Sequence, residues 1–296
     1  MSTFGRISLL GTGLMGSRMA LHVLRKNGSL TIWNRTPEKA SSLVEAGASL
    51  ANSAADACRD ADFVIFMLAN GPTVTEVLED EPLLRQLKPG SVLMDMSSIP
   101  PDLACRHAET LAQREVAYLD APVSGGTVGA EEATLAILAG GDKTAFDQAE
   151  PVFATMGNPT HMGPSGSGQL SKLCNQIMVA VTLTGVAEAF LFASEAGVDL
   201  PSLQKALSGG FADSRILREH GRRLIERDFN PGGTAENQLK DVNTALANAR
   251  ELGLQLPATE TVQSLFAGLS EAGQMRLDHT AILMHLERIN GQEPTP

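Results

Sequence analysis

Short apolar runs alternate with longer mixed stretches over the first half of the chain. Ile7–Leu10, Leu30–Trp33, Phe63–Leu68, Val92–Asp95 and Val116–Leu119 have strand length and few polar interruptions. Ser17–Lys26, Pro37–Ala46, Pro72–Leu78 and Leu103–Gln113 lie between them and suit helices. Strands apolar at nearly every position bury both faces, which predicts a parallel sheet covered by helices on each side. Leu135–Leu138 and Thr160–Met162 extend that sheet. After the glycine-rich stretch Gly163–Gly168 the pattern changes. Ser171–Ala196 has helical length, with Gly197 and Pro201 as stop signals. Leu203–Leu207, Ser214–Arg227, Asn237–Leu252, Thr259–Ala272 and Thr280–Ile289 follow as further helices, and the tail Gly291–Pro296 is expected to fray. The expectation is a doubly wound α/β domain over residues 1–163 and an all-α domain over residues 164–296.

Length and composition agree with two cored domains, since 43% of the 296 residues are apolar. A net charge of −11 with no basic block argues against nucleic acid and anionic membrane as partners. Any anionic ligand must then be met by local cations or backbone N–H groups. Cys58, Cys105 and Cys174 form no C-x-x-C pair and read as buried small hydrophobes of a reducing compartment. The first ten residues lack the basic and apolar regions of a secretory signal. The longest apolar run, Ile177–Ala196, is interrupted by Thr182, Thr184, Glu188 and Glu195, which favours a buried helix over a membrane span. A cytoplasmic protein is expected. The six histidines show no H-x-x-x-H spacing, so no metal site is expected.

Gly11-Thr12-Gly13-Leu14-Met15-Gly16 matches G-x-G-x-x-G between the first strand and the first helix. In that setting the first glycine permits the tight turn and the second a close backbone approach to a pyrophosphate. The third allows the helix to pack on the strand, and the helix N-terminus offers N–H groups to the phosphates. The first domain therefore reads as Rossmann-type. At the tip of the next strand, Asn34-Arg35-Thr36 stands where an NAD site usually carries a carboxylate for the ribose hydroxyls. A missing carboxylate beside a guanidinium suits a 2′-phosphate, so NADP(H) is favoured and NAD(H) remains possible.

Two further segments carry candidate chemistry. Asp120–Gly126 (DAPVSGG) follows a strand, and Ser124 with the bare amides of Gly125 and Gly126 could hold a small carboxylate; its spacing fits a plain turn equally well. Gly166-Ser167-Gly168 leads into a helix carrying Lys172 and Asn175, which a spacing of three places on one face. A lysine near a desolvated site can serve as general acid/base. Spacing alone favours a solvated lysine.

Four segments in order carry a family resemblance: LLGTGLMGSRMA (Leu9–Ala20), DAPVSGG, GSGQLSKLCNQ (Gly166–Gln176) and Lys240-Asp241 within NQLKDVNTAL. A weaker fifth is Asp278-His279-Thr280-Ala281. The chain resembles the β-hydroxyacid dehydrogenases, relatives of 3-hydroxyisobutyrate and 6-phosphogluconate dehydrogenase, to about Ile289. The resemblance implies that Lys172 is the acid/base and that Asn175 orients the substrate. It implies that Ser124, Gly125 and Gly126 bind the carboxylate and that Lys240 reaches both substrate and cofactor. Leu68, Ala69, Thr73 and Ser98 would join the glycine loop and the Asn34–Thr36 tip around the dinucleotide. One departure stands out, Asn175-Gln176 where many members have two asparagines.

That pair, together with DMSSIPP (Asp95–Pro101) and Ser208-Gly209-Gly210-Phe211 followed by Ser214, is most similar to the 2-hydroxy-3-oxopropionate (tartronate semialdehyde) reductase branch. Other substrates on the same scaffold are 3-hydroxyisobutyrate, L-threonate, sulfolactaldehyde and succinic semialdehyde. Imine reductases generally replace the lysine, and non-catalytic relatives lose it or add basic segments; Lys172 and the acidic composition weigh against both. The apolar helix Ser171–Ala196 exceeds what one small helical domain would bury, which with the resemblance implies a homodimer or homotetramer.

Overall fold

The computed structural model describes residues 3–293. Of the tail expected to fray, residues 294–296 lie outside the described residues. The chain divides into two compact units, the first ending at Lys172 and the second beginning at Leu173.

The first unit opens with β1 (Ile7–Leu10), α1 (Leu14–Asn27) and β2 (Thr31–Trp33). A 3-10 turn (Pro37–Ala40) leads into α2 (Ser41–Glu45), β3 (Ser49–Leu50), α3 (Ala54–Cys58) and β4 (Phe63–Phe66). Next come α4 (Gly71–Leu78), α5 (Glu81–Gln86), β5 (Val92–Asp95), α6 (Pro101–Ala112) and β6 (Ala117–Asp120). The last elements are β7 (Val123–Ser124), α7 (Gly126–Glu132), β8 (Leu135–Gly140), α8 (Lys143–Phe153) and β9 (Gly157–Gly163). One sheet runs β3-β2-β1-β4-β5-β6-β8-β7, with β9 beside β8. Pairing from β3 through β6 is parallel, with Leu9 opposite Ile32 on one side and Ile65 on the other, while β8 is antiparallel to β6 and β7. The order reverses at β1, so the crevice beyond the carboxyl ends of β1 and β4 is the place where doubly wound sheets bind ligands.

Alternate strand residues feed two cores. Ile7, Leu9, Ile32, Ile65 and Met94 pack with Met19 and Val23 of α1, while Leu10, Val64, Phe66 and Leu93 pack with Val74, Leu83 and Ala104 on the other face. The expected Rossmann-type sheet with both faces covered is what the chain forms. Helix starts follow local chemistry: Asn70 accepts from the Thr73 N–H at 3.0 Å ahead of α4, and Asp142 accepts from the Ala145 N–H at 2.9 Å ahead of α8.

The long helix α9 (Ser167–Glu195) contains the division between the units. The second unit continues with α10 (Leu200–Leu207), α11 (Arg215–Glu226), α12 (Ala235–Glu251), α13 (Pro257–Glu271), a 3-10 turn (His279–Ala281) and α14 (Ile282–Ile289). Its core gathers Ala180, Leu183, Ala187 and Phe190 of α9 with Val242, Leu246, Phe266, Leu269 and Ile282.

Three details differ from the sequence reading. The segment Pro37–Ala46, expected as one helix, is a 3-10 turn followed by a short α-helix. The DAPVSGG segment is no plain turn: Val123 and Ser124 pair with Ile137 and Ala136, and Gly126 opens α7. Only Cys58 is a buried thiol; Cys105 is half-buried and donates to the Ser165 carbonyl at 3.3 Å, and Cys174 is exposed.

Candidate active site

The glycine loop takes its shape from close backbone approach. Gly11 has φ +101, and a Cβ there would sit 2.2 Å from the Met67 carbonyl oxygen. A Cβ on Gly16 would fall 1.9 Å from the Gly11 oxygen, so the α1 start is pressed onto the loop. A Cβ on Gly13 would meet no atom of the described residues within 4 Å. Two glycines are thus spent on packing, and the third leaves its surroundings open for a ligand. The Thr12 hydroxyl is buried without a hydrogen-bond partner, and the Thr12 N–H donates to Asn34 Oδ1 at 3.0 Å. These features fit a dinucleotide pyrophosphate.

A cavity of about 400 Å³ opens in front of this loop, within the size range of small-molecule sites. Of the residues expected at the cofactor, Gly11, Gly13, Leu14, Met15, Gly16, Asn34, Arg35, Thr36, Leu68, Ala69 and Thr73 line it. Lys240, the other expected cofactor contact, belongs to the second unit, and Thr12 and Ser98 do not line the cavity. Ser97, one residue earlier, instead accepts from the Leu68 N–H at 2.9 Å and so holds the wall that Leu68 forms. Sequence reasoning missed Lys39, which lines the cavity with Arg35 and adds a second cation. Asn34 has no amide group to spare: besides accepting from Thr12, its Nδ2 donates to the Thr36 carbonyl at 2.8 Å. An aspartate could not make that second bond.

The end of β6 organises the other candidates in this unit. Asp120 is fully buried and accepts from the Gly166 and Gln169 N–H groups, each at 2.8 Å, so a carboxylate on a strand end satisfies orphan donors at the α9 start. Burial pushes the Asp120 carboxyl up to about 6, against the lowering effect of those N–H donors. Asp95 is its register partner on β5, and burial pushes it up to about 6 as well, while it accepts from Tyr118 Oη at 2.9 Å and the Ser97 N–H at 3.0 Å. Lys172 is half-buried, one turn past Gln169 on α9. Ser124 ends β7 half-buried, and Gly125 and Gly126 follow at φ +137 and +61, a conformation that suits glycine alone.

In the second unit a polar chain joins the remaining candidates. Asn175 Nδ2 donates to Gln176 Oε1 at 2.8 Å, Gln176 Nε2 donates to Asp241 Oδ2 at 2.7 Å, and Asp241 Oδ1 lies 3.2 Å from Lys240 Nζ. The glutamine that departs from the family's asparagine therefore bridges α9 to α12 and ties Asn175 to Lys240. His220, Asp278 and His279 also meet in this unit, a cluster invisible to local spacing. Asp278 accepts from Arg223, Gly232, Gly233 and Thr280, and the Arg223 guanidinium supplies the positive charge that a metal would otherwise bring. The cluster reads as a clamp that fixes the turn before α14.

Residues 6–167 match the NAD binding domain of 6-phosphogluconate dehydrogenase, and residues 166–286 match the NAD-binding region of NADP-dependent 3-hydroxyisobutyrate dehydrogenase. The chain is 41% identical over 285 residues to the 2-hydroxy-3-oxopropionate reductase of Escherichia coli strain K12, covering 95% of this chain and 97% of that one. It is 33% identical over 287 residues to the 3-hydroxyisobutyrate dehydrogenase of Pseudomonas aeruginosa, covering 93% and 96%. The solved structure of Mycobacterium tuberculosis 3-hydroxyisobutyrate dehydrogenase with L-serine matches at a TM-score of 0.87 and 29% identity, covering 96% and 99%. With a nicotinamide dinucleotide fold, the family's motifs in order and relatives spanning nearly its whole length, the chain belongs to the β-hydroxyacid dehydrogenase family of 3-hydroxyisobutyrate dehydrogenase-like oxidoreductases.

Proposed function

We propose that the protein is an NADPH-dependent reductase of a short carboxylate-bearing semialdehyde, converting 2-hydroxy-3-oxopropionate to D-glycerate. One observation carries the reading. The glycine loop leaves the carboxyl end of β1, and α9 is anchored by Asp120 at the carboxyl end of the parallel strand β6, so Lys172 and the cofactor cavity share one edge of the sheet. A nicotinamide dinucleotide held by the residues of this cavity would supply the hydride for the substrate carbon. Lys172 donates a proton to the carbonyl oxygen as the alkoxide develops, and takes it back in the oxidative direction. Ser124 and the Gly125 and Gly126 amides hold the carboxylate, Asn175 orients the reacting carbon, and Lys240 supplies a further cation for the ligands. Arg35 and Lys39, which line the cavity, would hold the 2′-phosphate.

The 41% identity to the Escherichia coli reductase supports this substrate over 3-hydroxyisobutyrate, and the Asn175-Gln176 pair supports it further. The unpaired thiols suit a reducing cytoplasm. The test is a panel of small semialdehydes and β-hydroxy acids, including L-threonate, sulfolactaldehyde and succinic semialdehyde, each assayed with both cofactors. Tartronate semialdehyde with NADPH is expected to give the highest kcat/KM; a tenfold preference for another substrate or for NADH overturns that part. Lys172→Ala is expected to lower kcat about a thousandfold while NADPH still binds. Undiminished turnover in this variant removes Lys172 as the acid/base.

A further inference from the structure

The start of α9 is held by more than a helix cap. Gln169 is 1% exposed, yet its side chain is polar and fully engaged: Nε2 donates to the Ser97 carbonyl at 2.8 Å and Oε1 accepts from the Ile99 N–H at 3.2 Å. Its backbone N–H donates to Asp120, and so does that of Gly166. Gly168 has no room for a side chain, because a Cβ would sit 2.2 Å from the Asp120 carbonyl oxygen and 2.3 Å from that of Leu138. Ser97 in turn holds Leu68, part of the cofactor wall, through its hydroxyl. A continuous set of hydrogen bonds, buried in all but its first link, therefore runs from the cavity wall through Ser97 and Gln169 to the turn that precedes Lys172.

We propose that Gln169 and Asp120 are positioning residues that fix Lys172 against the cofactor, a role that rests on the reading of Lys172 as the acid/base. A helix start needs only a local Ser, Thr, Asp or Asn to satisfy its donors, as Asp142 does for α8. Here the donors go to a strand 46 and 49 residues away, and a buried amide adds bonds to a second strand end. Buried polar bonds specify direction as well as contact, which apolar packing does less well. A lysine is long and flexible, so the register of its helix base decides where the ammonium arrives. A displacement of about 1 Å at a reacting group costs on the order of a hundredfold in rate.

Gln169→Met keeps volume and removes both side-chain bonds; Asp120→Asn keeps shape and removes one of the two acceptors. Each is expected to lower kcat about thirtyfold while the NADPH dissociation constant stays within about threefold. Asp142→Ala, which removes a cap of the same kind on α8, is expected to leave kcat unchanged. A double-mutant cycle separates positioning from general structural damage: in a Lys172→Ala background, Gln169→Met should remove no further rate. Should Gln169→Met not fold, the same cycle is run with Asp120→Asn. Kcat within twofold of the parent in both single variants overturns the proposal, as does an equal loss with and without Lys172. Full turnover in Lys172→Ala alone sinks the acid/base reading, and the positioning role with it. An impaired Lys172→Ala beside an unimpaired Gln169→Met sinks the positioning role alone.

Discussion

The proposed preference for NADPH rests on Asn34 and Arg35, which follow β2, and on Lys39 in the turn after them. Asn34 spends its amide on Thr12 and Thr36, which keeps the tip in shape and puts no carboxylate at that position, although Glu76 lines the same cavity. Arg35 and Lys39 line the cavity beside it. A charge-assisted hydrogen bond contributes about 1.5–3 kcal/mol where water is excluded, and less at an exposed tip such as this. Arg35→Ala combined with Lys39→Ala is therefore expected to raise the KM for NADPH about thirtyfold and to leave that for NADH within threefold. Parallel titrations of both cofactors measure it, and equal losses for the two would remove the phosphate role. Arg35 was legible in the sequence because it follows the strand directly. Lys39 was not, because the turn Pro37–Ala40 sets its direction. Ser97 and Ser98 show the same limit, since both lie in the loop beyond the end of β5 and no local pattern tells which one meets Leu68.

At the level of elements, the ends of β5 and β6 are built around carboxyl groups withdrawn from water. Asp95 and Asp120 stand in register, and burial pushes each up from an ordinary value of 3.8 to about 6. A raised carboxyl holds its proton better in the folded state than in the unfolded chain. Its contribution to stability is therefore complete below pH 4 and is lost as pH rises through about 6. An asparagine at 95 keeps an oxygen for the Ser97 N–H and can donate to Tyr118 Oη, which accepts as readily as it donates. Asp95→Asn is expected to stabilise the protein at pH 8 by about 1–3 kcal/mol, with the gain vanishing near pH 4. Thermal unfolding across that range checks it; a gain equal at both ends would exclude titration as the cause. The sequence showed β5 and β6 as apolar runs, and their ends as the place for a site. It did not show that Asp120 faces the start of α9, so α9 was expected to begin at Ser171 and in fact begins at Ser167. The missing cap came from a strand 46 residues away, beyond the reach of any local pattern.

At the level of the whole molecule, α9 poses a question of coverage. It is the one helix among the described residues long and apolar enough to cross a bilayer, and 39% of its most apolar window is buried. Asp120 anchors its first turn, and Ala180, Leu183, Ala187 and Phe190 sit in the second unit's core, so it is committed to folded protein at both ends. Another side remains open. Met178 and Phe192 are 71% and 79% exposed, and Gly185, midway between them, has open space where a side chain would be. Successive steps of seven residues put these three on one stripe, the spacing at which two helices pack along a seam, with a glycine where they can approach closely. The same stripe on a second copy is a self-complementary partner about a twofold axis. A net charge of −11 on each copy opposes that meeting, so association through the apolar stripe would tighten as salt screens the repulsion. Light scattering is expected to give at least twice 31.2 kDa at working concentration. Phe192→Glu with Met178→Glu should return it to a single copy, and dilution at low ionic strength should do so in part. A single-copy mass at all salt concentrations would leave the stripe for some other occupant.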